Sequence, residues 1–390
     1  MSRSYNVAIL GLGAMGGAAA YHLAKRGQRV IGIDLHSPPH AVGSSHGKSR
    51  MIREAYHEHP LYVPLVQRAY ALWGELERAA GDRTFFIRTG GLMVGAADGA
   101  LVRGTRLSAE EHQLPHELLT ARDLHRRYPA FSPLDDMVGV LEHRAGILLP
   151  EAIVQAHLEL AAHHGADLHL ETRIQGWDSG PNGVTLRLGE ETVHARQLVV
   201  AAGAQVGDLL PDIGKLLRVE PRTIHWFDPA RFPEYHTPQR MPVSIWELEN
   251  GTLFYTKPDL GDGVKIGIHH GGDAIGRLPG ENPVSEAEDA EIYDLLRRFV
   301  PFAKGHPRER ATCRYTMTPD AHFIVDWHPR SEHVLVLSPC SGHGFKFASV
   351  IGEITADLLT SGTCAFDLTP FALRRFGERG SAVSQDIASQ

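Results

Sequence analysis

Near the start of the chain, the stretch YNVAILGLGAMGG sets Gly11, Gly13 and Gly16 in a GxGxxG spacing behind a short apolar run. Glycines at that spacing permit a tight turn and let the backbone approach a pyrophosphate at a helix N-terminus. Asp34 closes the next apolar run, QRVIGID, about 20 residues on, where a carboxylate can accept hydrogen bonds from a ribose. A second candidate for chemistry is Cys313, in the polar and aromatic stretch ATCRYTMTPDAHF. Two readings stay open for it from its type alone: a small buried hydrophobe, or a thiol with a bond to form. The three cysteines, Cys313, Cys340 and Cys364, are unevenly spaced, so neither a disulfide framework nor a zinc pattern is expected, and no metal is.

These residues need elements to hold them. YNVAIL reads as a buried strand, GLGAMGG as a turn, AAAYHLAKRG as a helix ended by Gly27, and QRVIGID as a second strand, which is a βαβ unit. Residues 59–81 read as helical after Pro64, with Leu65, Ala69, Leu72 and Leu76 on one stripe. PEAIVQAHLELAAHHG, 150–165, is a second helix with Pro150 near its first turn and Gly165 as terminator. DLHLET and QLVVAAGAQ continue the α/β pattern over 147–205, with an expected hairpin between them. Residues 216–310 are richer in aromatics and in alternating strands such as TLFYTKP and GVKIGIHH, with a helix whose capping box is Ser285 and Glu288. HVLVLS, 333–338, returns to a buried strand and leads into a second glycine-rich turn, SGHG, and a helix. The expected fold class is α/β: a discontinuous Rossmann-like dinucleotide-binding domain with an inserted, mainly antiparallel β domain.

Composition sets the outer bounds. A net charge of −7 and a pI near 6.4 give no electrostatic case for nucleic acid or an anionic membrane. No run of 18 apolar residues suggests a transmembrane helix, and the N-terminus lacks a signal peptide's apolar run. Few cysteines fit a reducing compartment, so a cytoplasmic protein is expected.

SPPHAVGSSHGKSRMIREAY, GVKIGIH, TCRYTMTPDAHFIVD and SGHGFKFASVIGE, in that order, resemble the monomeric sarcosine oxidase and N-methyltryptophan oxidase family. The resemblance runs from residue 5 to about 360. It implies FAD as the dinucleotide, held by residues 1–88, 147–215 and 311–390, with 89–146 and 216–310 forming the substrate part. GLGAMG alone also resembles NAD-dependent 3-hydroxyacid dehydrogenases, but those place an all-helical domain where this chain has strands.

By that resemblance, Cys313 carries the flavin through a thioether to its 8α-methyl group. Lys265, which by pattern alone reads as a solvent-facing strand lysine, is implied to lie over the flavin and to activate O₂. A fixed cation in a low-dielectric site stabilises the superoxide that the first electron transfer makes. Arg53 and Lys346 are implied to anchor a substrate carboxylate, the arginine through two parallel hydrogen bonds and the lysine as a point charge. Arg50 is expected at the flavin itself, with His46 as a further flavin contact. Tyr255 and Tyr315 are aromatic walls, and His269 completes the substrate site. Gly342, His343 and Gly344 lead into a helix whose positive end faces the flavin.

The implied reaction is oxidative demethylation of an N-methyl amino acid, giving the amino acid, formaldehyde and hydrogen peroxide, by a monomeric enzyme. Other secondary amines, such as fructosyl amino acids or cyclic imino acids, stay open as substrates. An amine that binds already neutral needs no general base, so no acid–base pair is assigned. The chain departs from the family pattern at Lys48, where an acidic residue is usual, at Glu54, where a basic one is common, and at Cys340, where an aromatic is expected.

Overall fold

The structure, a computed structural model, describes residues 3–269 and 286–377. Ser285, half of the expected capping box, lies outside the described residues. Strand Arg3–Leu10, buried on both faces over Val7–Leu10, lies at the centre of an eight-stranded sheet. Val30–Ile33 and Glu191–Val200 flank it in parallel; Asp167–His169 and Ser331–Ser338 extend the parallel run on either side. Near-continuous apolar runs such as NVAIL and VIGI suit strands covered on both faces. The hairpin Gly176–Gly180 and Gly183–Leu188 forms one edge, and Ile324–His328 pairs antiparallel with Ser331–Ser338.

Alternate residues of the central strand enter different cores. Val7 and Ile9 pack with the helices Ala14–Lys25, Val63–Ala79, Pro150–His163 and Ala348–Ser361; Ala8 and Leu10 join the cluster on the opposite face. The first helix is built from Ala14, Ala18, Ala19 and Ala20, and small side chains let it approach Ala348–Ser361 closely. A Cβ on Gly352 would stand 2.7 Å from the backbone of Ala18. The stripe Leu65, Ala69, Leu72 and Leu76 is buried as expected, together with Trp73. That helix begins at Val63, because Pro60–Tyr62 forms a 3₁₀ turn ahead of it.

A second eight-stranded sheet is mainly antiparallel, with one parallel pairing between Gly91–Ala96 and Val243–Glu247. Trp246, Phe254, Phe131 and Phe299 form its aromatic core, Phe299 coming from helix Glu286–Phe299. Strand Pro307–Met317 pairs with Arg218–Phe227 in this sheet, so the segment carrying Cys313 runs in the second sheet although 311 was the expected start of the last FAD-binding segment. A small sheet of Arg50–Ile52, Gly146–Leu148 and Phe86–Arg88 carries the arginine segment. No helix among the described residues is long and apolar enough to cross a membrane.

Candidate active site

The turns at the carboxyl ends of four parallel strands face the second sheet. Gly11–Ala14 follows Leu10, Asp34 follows Ile33, Ala201–Gln205 follows Val200, and Pro339–Lys346 follows Ser338. Open α/β sheets bind ligands at this edge. One cavity of about 370 Å³ runs along it, from Gly11 and Asp34 past Ser44 and Arg50 to Cys313, Tyr315 and Lys346.

The dinucleotide end is shaped by absent side chains. Gly11 has φ +91°, and a Cβ there would lie 2.6 Å from Ala201 O; a Cβ on Gly16 would lie 1.7 Å from Gly11 O. Only glycine fits both places, and Gly13 caps the helix that follows. Asp34 Oδ2 accepts from Leu12 N at 2.6 Å and Oδ1 from His36 N at 2.8 Å. A carboxylate has lone pairs beyond these two bonds, so Asp34 can fix the turn and still receive a ribose hydroxyl. The cradle and the length of the cavity fit an extended dinucleotide such as FAD.

In the middle of the cavity lie Arg50 and Cys313. Arg50 donates to Ser44 O at 2.8 Å and Ser49 O at 2.9 Å, and its Nη2 is 3.6 Å from Cys313 Sγ. The cation at the thiol is therefore Arg50; Arg314, its neighbour in sequence, donates instead to Val42 O. Lys265 is buried in Val264–Ile268, 1% exposed, rather than solvent-facing. Its Nζ donates to Gly47 O at 2.6 Å and Ser49 O at 3.1 Å, and it is not among the residues lining the cavity. Glu151, in the first turn of Pro150–His163, fixes this backbone by accepting from Gly47 N and Lys48 N. Burial and then Arg50 hold the Lys265 ammonium well below its usual pKa. His46 is buried beside this loop, off the cavity wall, with Nε2 lacking a hydrogen-bond partner; burial lowers it to about 4.

At the far end, Arg53 and Lys346 both line the cavity. Arg53 donates to Ala55 O at 2.9 Å, His57 Nδ1 at 2.9 Å and Glu58 Oε2 at 2.6 Å, so its charge is already matched. Lys346 Nζ donates to His343 O at 2.7 Å and Tyr56 OH at 3.1 Å, both neutral. Burial, then repulsion from Arg53, lowers its pKa to about 7. His343 accepts from Tyr56 OH at Nδ1 and donates from Nε2 to Ala321 O, and burial lowers it to about 4, which keeps it neutral. Trp73 Nε1 donates to Lys346 O at 3.1 Å and fixes the turn.

Tyr255, His269 and Tyr315 close the wall opposite; His269 Nδ1 is 3.1 Å from Tyr315 OH. Burial raises both phenols, so they stay protonated. Gly342, at φ +78°, lies against the Tyr315 ring, and a Cβ on Gly344 would stand 1.6 Å from Pro339 O.

Among the cavity residues not singled out from sequence are Glu58, Arg222 and Lys257. Lys257 had a signal, since two residues beyond Tyr255 on a strand is the same face. The departures from the family pattern have local partners. Lys48 pairs with Glu309 and Asp262 near the surface, and Glu54 is buried against Arg144. Cys340 lines the cavity with Ser338 Oγ 3.5 Å from its sulfur.

Fold and cavity together define a dinucleotide-dependent oxidoreductase, with Arg50, Arg53, Lys257 and Lys346 among the residues lining the cavity. The FAD dependent oxidoreductase family matches over residues 6–358, and the chain belongs to that family. It is 40% identical over 379 residues to monomeric sarcosine oxidase of Streptomyces avermitilis, covering 96% of this chain and 98% of the relative. It is 37% identical over 378 residues to N-methyl-L-tryptophan oxidase of Salmonella dublin, covering 96% of this chain and all of the relative. Among solved structures, NikD, an unusual amino acid oxidase essential for nikkomycin biosynthesis, superposes in its open form with TM-score 0.82 at 24% identity, over 95% of this chain and 98% of that one. That last likeness is one of fold.

Proposed function

We propose that the chain oxidises secondary N-methyl amino acids of the sarcosine or N-methyltryptophan type, giving the amino acid, formaldehyde and hydrogen peroxide. One observation carries this reading: a single cavity joins the dinucleotide cradle to Lys346, a buried cation with only neutral hydrogen-bond partners. An amino-acid carboxylate is the counter-charge that such a lysine lacks. Bound FAD would accept a hydride equivalent from the N-methyl carbon and pass the electrons to O₂.

The chain's own residues do the rest. Lys346 grips the carboxylate, with Arg53 and its partner Glu58 shaping that end of the pocket. Tyr255, Tyr315 and His269 exclude water from the amine. Lys265 supplies buried positive charge beside the Gly47–Ser49 backbone, where oxygen reduction needs it. Cys313 is the tether for the flavin: its sulfur lies on the cavity wall, 3.6 Å from Arg50 Nη2. A monomeric state is carried over from the name of the Streptomyces relative.

The test is peroxide release on adding sarcosine, N-methyltryptophan and a panel of other N-alkyl amino acids. Release with N-methyl substrates supports the reading, and silence across the panel overturns it. Acid precipitation reads the tether separately, because a covalent flavin leaves the pellet yellow.

A further inference from the structure

Lys257 lines the cavity and is only 4% exposed. A buried ammonium needs a counter-charge, and no carboxylate is paired with it among the described residues. From its own strand it meets Tyr255, whose ring centre is 5.1 Å from Nζ. From Val264–Ile268 it meets Lys265, its register partner across the antiparallel ladder. Arg50 faces it from Arg50–Ile52, and Lys346 from the Phe345–Phe347 turn.

Lys257, Lys265 and Arg50 donate to one acceptor, the Ser49 carbonyl, at 3.0, 3.1 and 2.9 Å. A carbonyl has two lone pairs, so the half-buried Arg50 and the two buried lysines compete for it, and burial and mutual repulsion work against charge on the lysines. Lys265 has a second carbonyl at 2.6 Å, and Glu151 and Asp262 favour its charge. Lys257 has no such support: burial and then Lys265 and Arg50 push its pKa well below the ordinary value. Of the two lysines, Lys257 therefore has the less support for its charge, and deprotonated it would present an amine lone pair on the cavity wall.

We propose that Lys257 is the base that takes the ammonium proton from the incoming amino acid and keeps it for oxygen reduction. The inference rests on the amine-oxidase reading above. An amino acid arrives as an ammonium, and only the free amine can release a hydride. The first step is R₂NH₂⁺ + Lys257–NH₂ → R₂NH + Lys257–NH₃⁺. The hydride then leaves the N-methyl carbon as two electrons and one proton. Making hydrogen peroxide from O₂ consumes two electrons and two protons; the hydride supplies one proton and Lys257 returns the other. The cycle closes without exchanging a proton with solvent.

Counting protons tests this. Holoenzyme is mixed anaerobically with saturating sarcosine or N-methyltryptophan in weak buffer with a pH indicator, and flavin bleaching is followed in parallel. Lys257→Met and Lys257→Gln should release one more proton per flavin bleached than the wild type; contributions from Lys346 are common to all and cancel. An ordinary alkylammonium loses its proton near pH 10, so bleaching at pH 8 should slow by about 10²-fold in these variants and rise about tenfold per pH unit. Lys257→Arg, permanently charged, should match them if either neutral variant fails to retain flavin. Equal proton counts, or a rate loss that is the same at every pH, would overturn the proposal. If N-methyl amino acids bleach neither protein, the substrate reading fails alone, and a cyclic imino acid that does bleach the flavin gives the same count.

Discussion

Lys346 and Arg53 look alike in sequence, yet their surroundings give them different work. Arg53 has Glu58 at 2.6 Å, whereas Lys346 has a carbonyl and a hydroxyl. A simple anion such as acetate should therefore bind through Lys346 and inhibit competitively. Burial, and then repulsion from Arg53, lowers the Lys346 pKa to about 7, so the lysine is charged below pH 7 and loses its proton above it. The inhibition constant for acetate should be flat below pH 7 and rise about tenfold per unit above it. Lys346→Met should abolish that slope; a slope retained in the variant would move the anion site elsewhere. At this scale the sequence spoke through type and motif, which is how Cys313, Arg53 and Lys346 could be named. It could not say that Arg50, from a distant segment, rather than the adjacent Arg314, meets the sulfur, because that proximity is made by folding.

Turns, more than strands, decide how well the site is held. Ser338–Lys346 must reverse the chain, deliver Lys346 and leave room for the Tyr315 ring, and Gly342 permits all three. A Cβ there would stand 2.4 Å from Tyr315 Cε2, at a φ of +78° that an L side chain tolerates poorly. Gly362, which ends helix Ala348–Ser361, has almost the same φ, +76°, but open space around it. The pair separates strain from fit. Gly362→Ala should cost about 1 kcal/mol of stability by thermal melting, with KM unchanged. Gly342→Ala should add a displaced Tyr315, loosening its contact with His269, and raise KM about tenfold or more. Equal behaviour of the two variants would mean that Tyr315 does not shape the pocket. Periodicity made the helices legible, as the buried stripe Leu65, Ala69, Leu72 and Leu76 illustrates. It misled at Lys265, because a strand covered on both faces buries residues that alternation assigns to solvent.

Over the whole molecule, the cavity draws on segments from Gly11 to Lys346 and on both large sheets. A ligand with such scattered contacts has no site in the unfolded chain, so its binding free energy adds to folding. A tether at Cys313 would hide that linkage, since the flavin could not leave. Cys313→Ala should expose it: the variant should fold, hold FAD reversibly and lose it on acid precipitation, while the wild type keeps its colour. Free FAD at 100 times its dissociation constant adds about 2.7 kcal/mol. For a chain of 390 residues that corresponds to a rise of roughly 3 °C in melting temperature, growing with the logarithm of FAD concentration. The wild type should show no such dependence. If both proteins respond to added FAD alike, the flavin is not tethered and Cys313 is a packing residue; if neither responds and both stay yellow, the bond is made elsewhere. The mixed sheet and the glycine cradle do not depend on that outcome, because Gly11 and Gly16 are fixed by contacts with Ala201 and with each other.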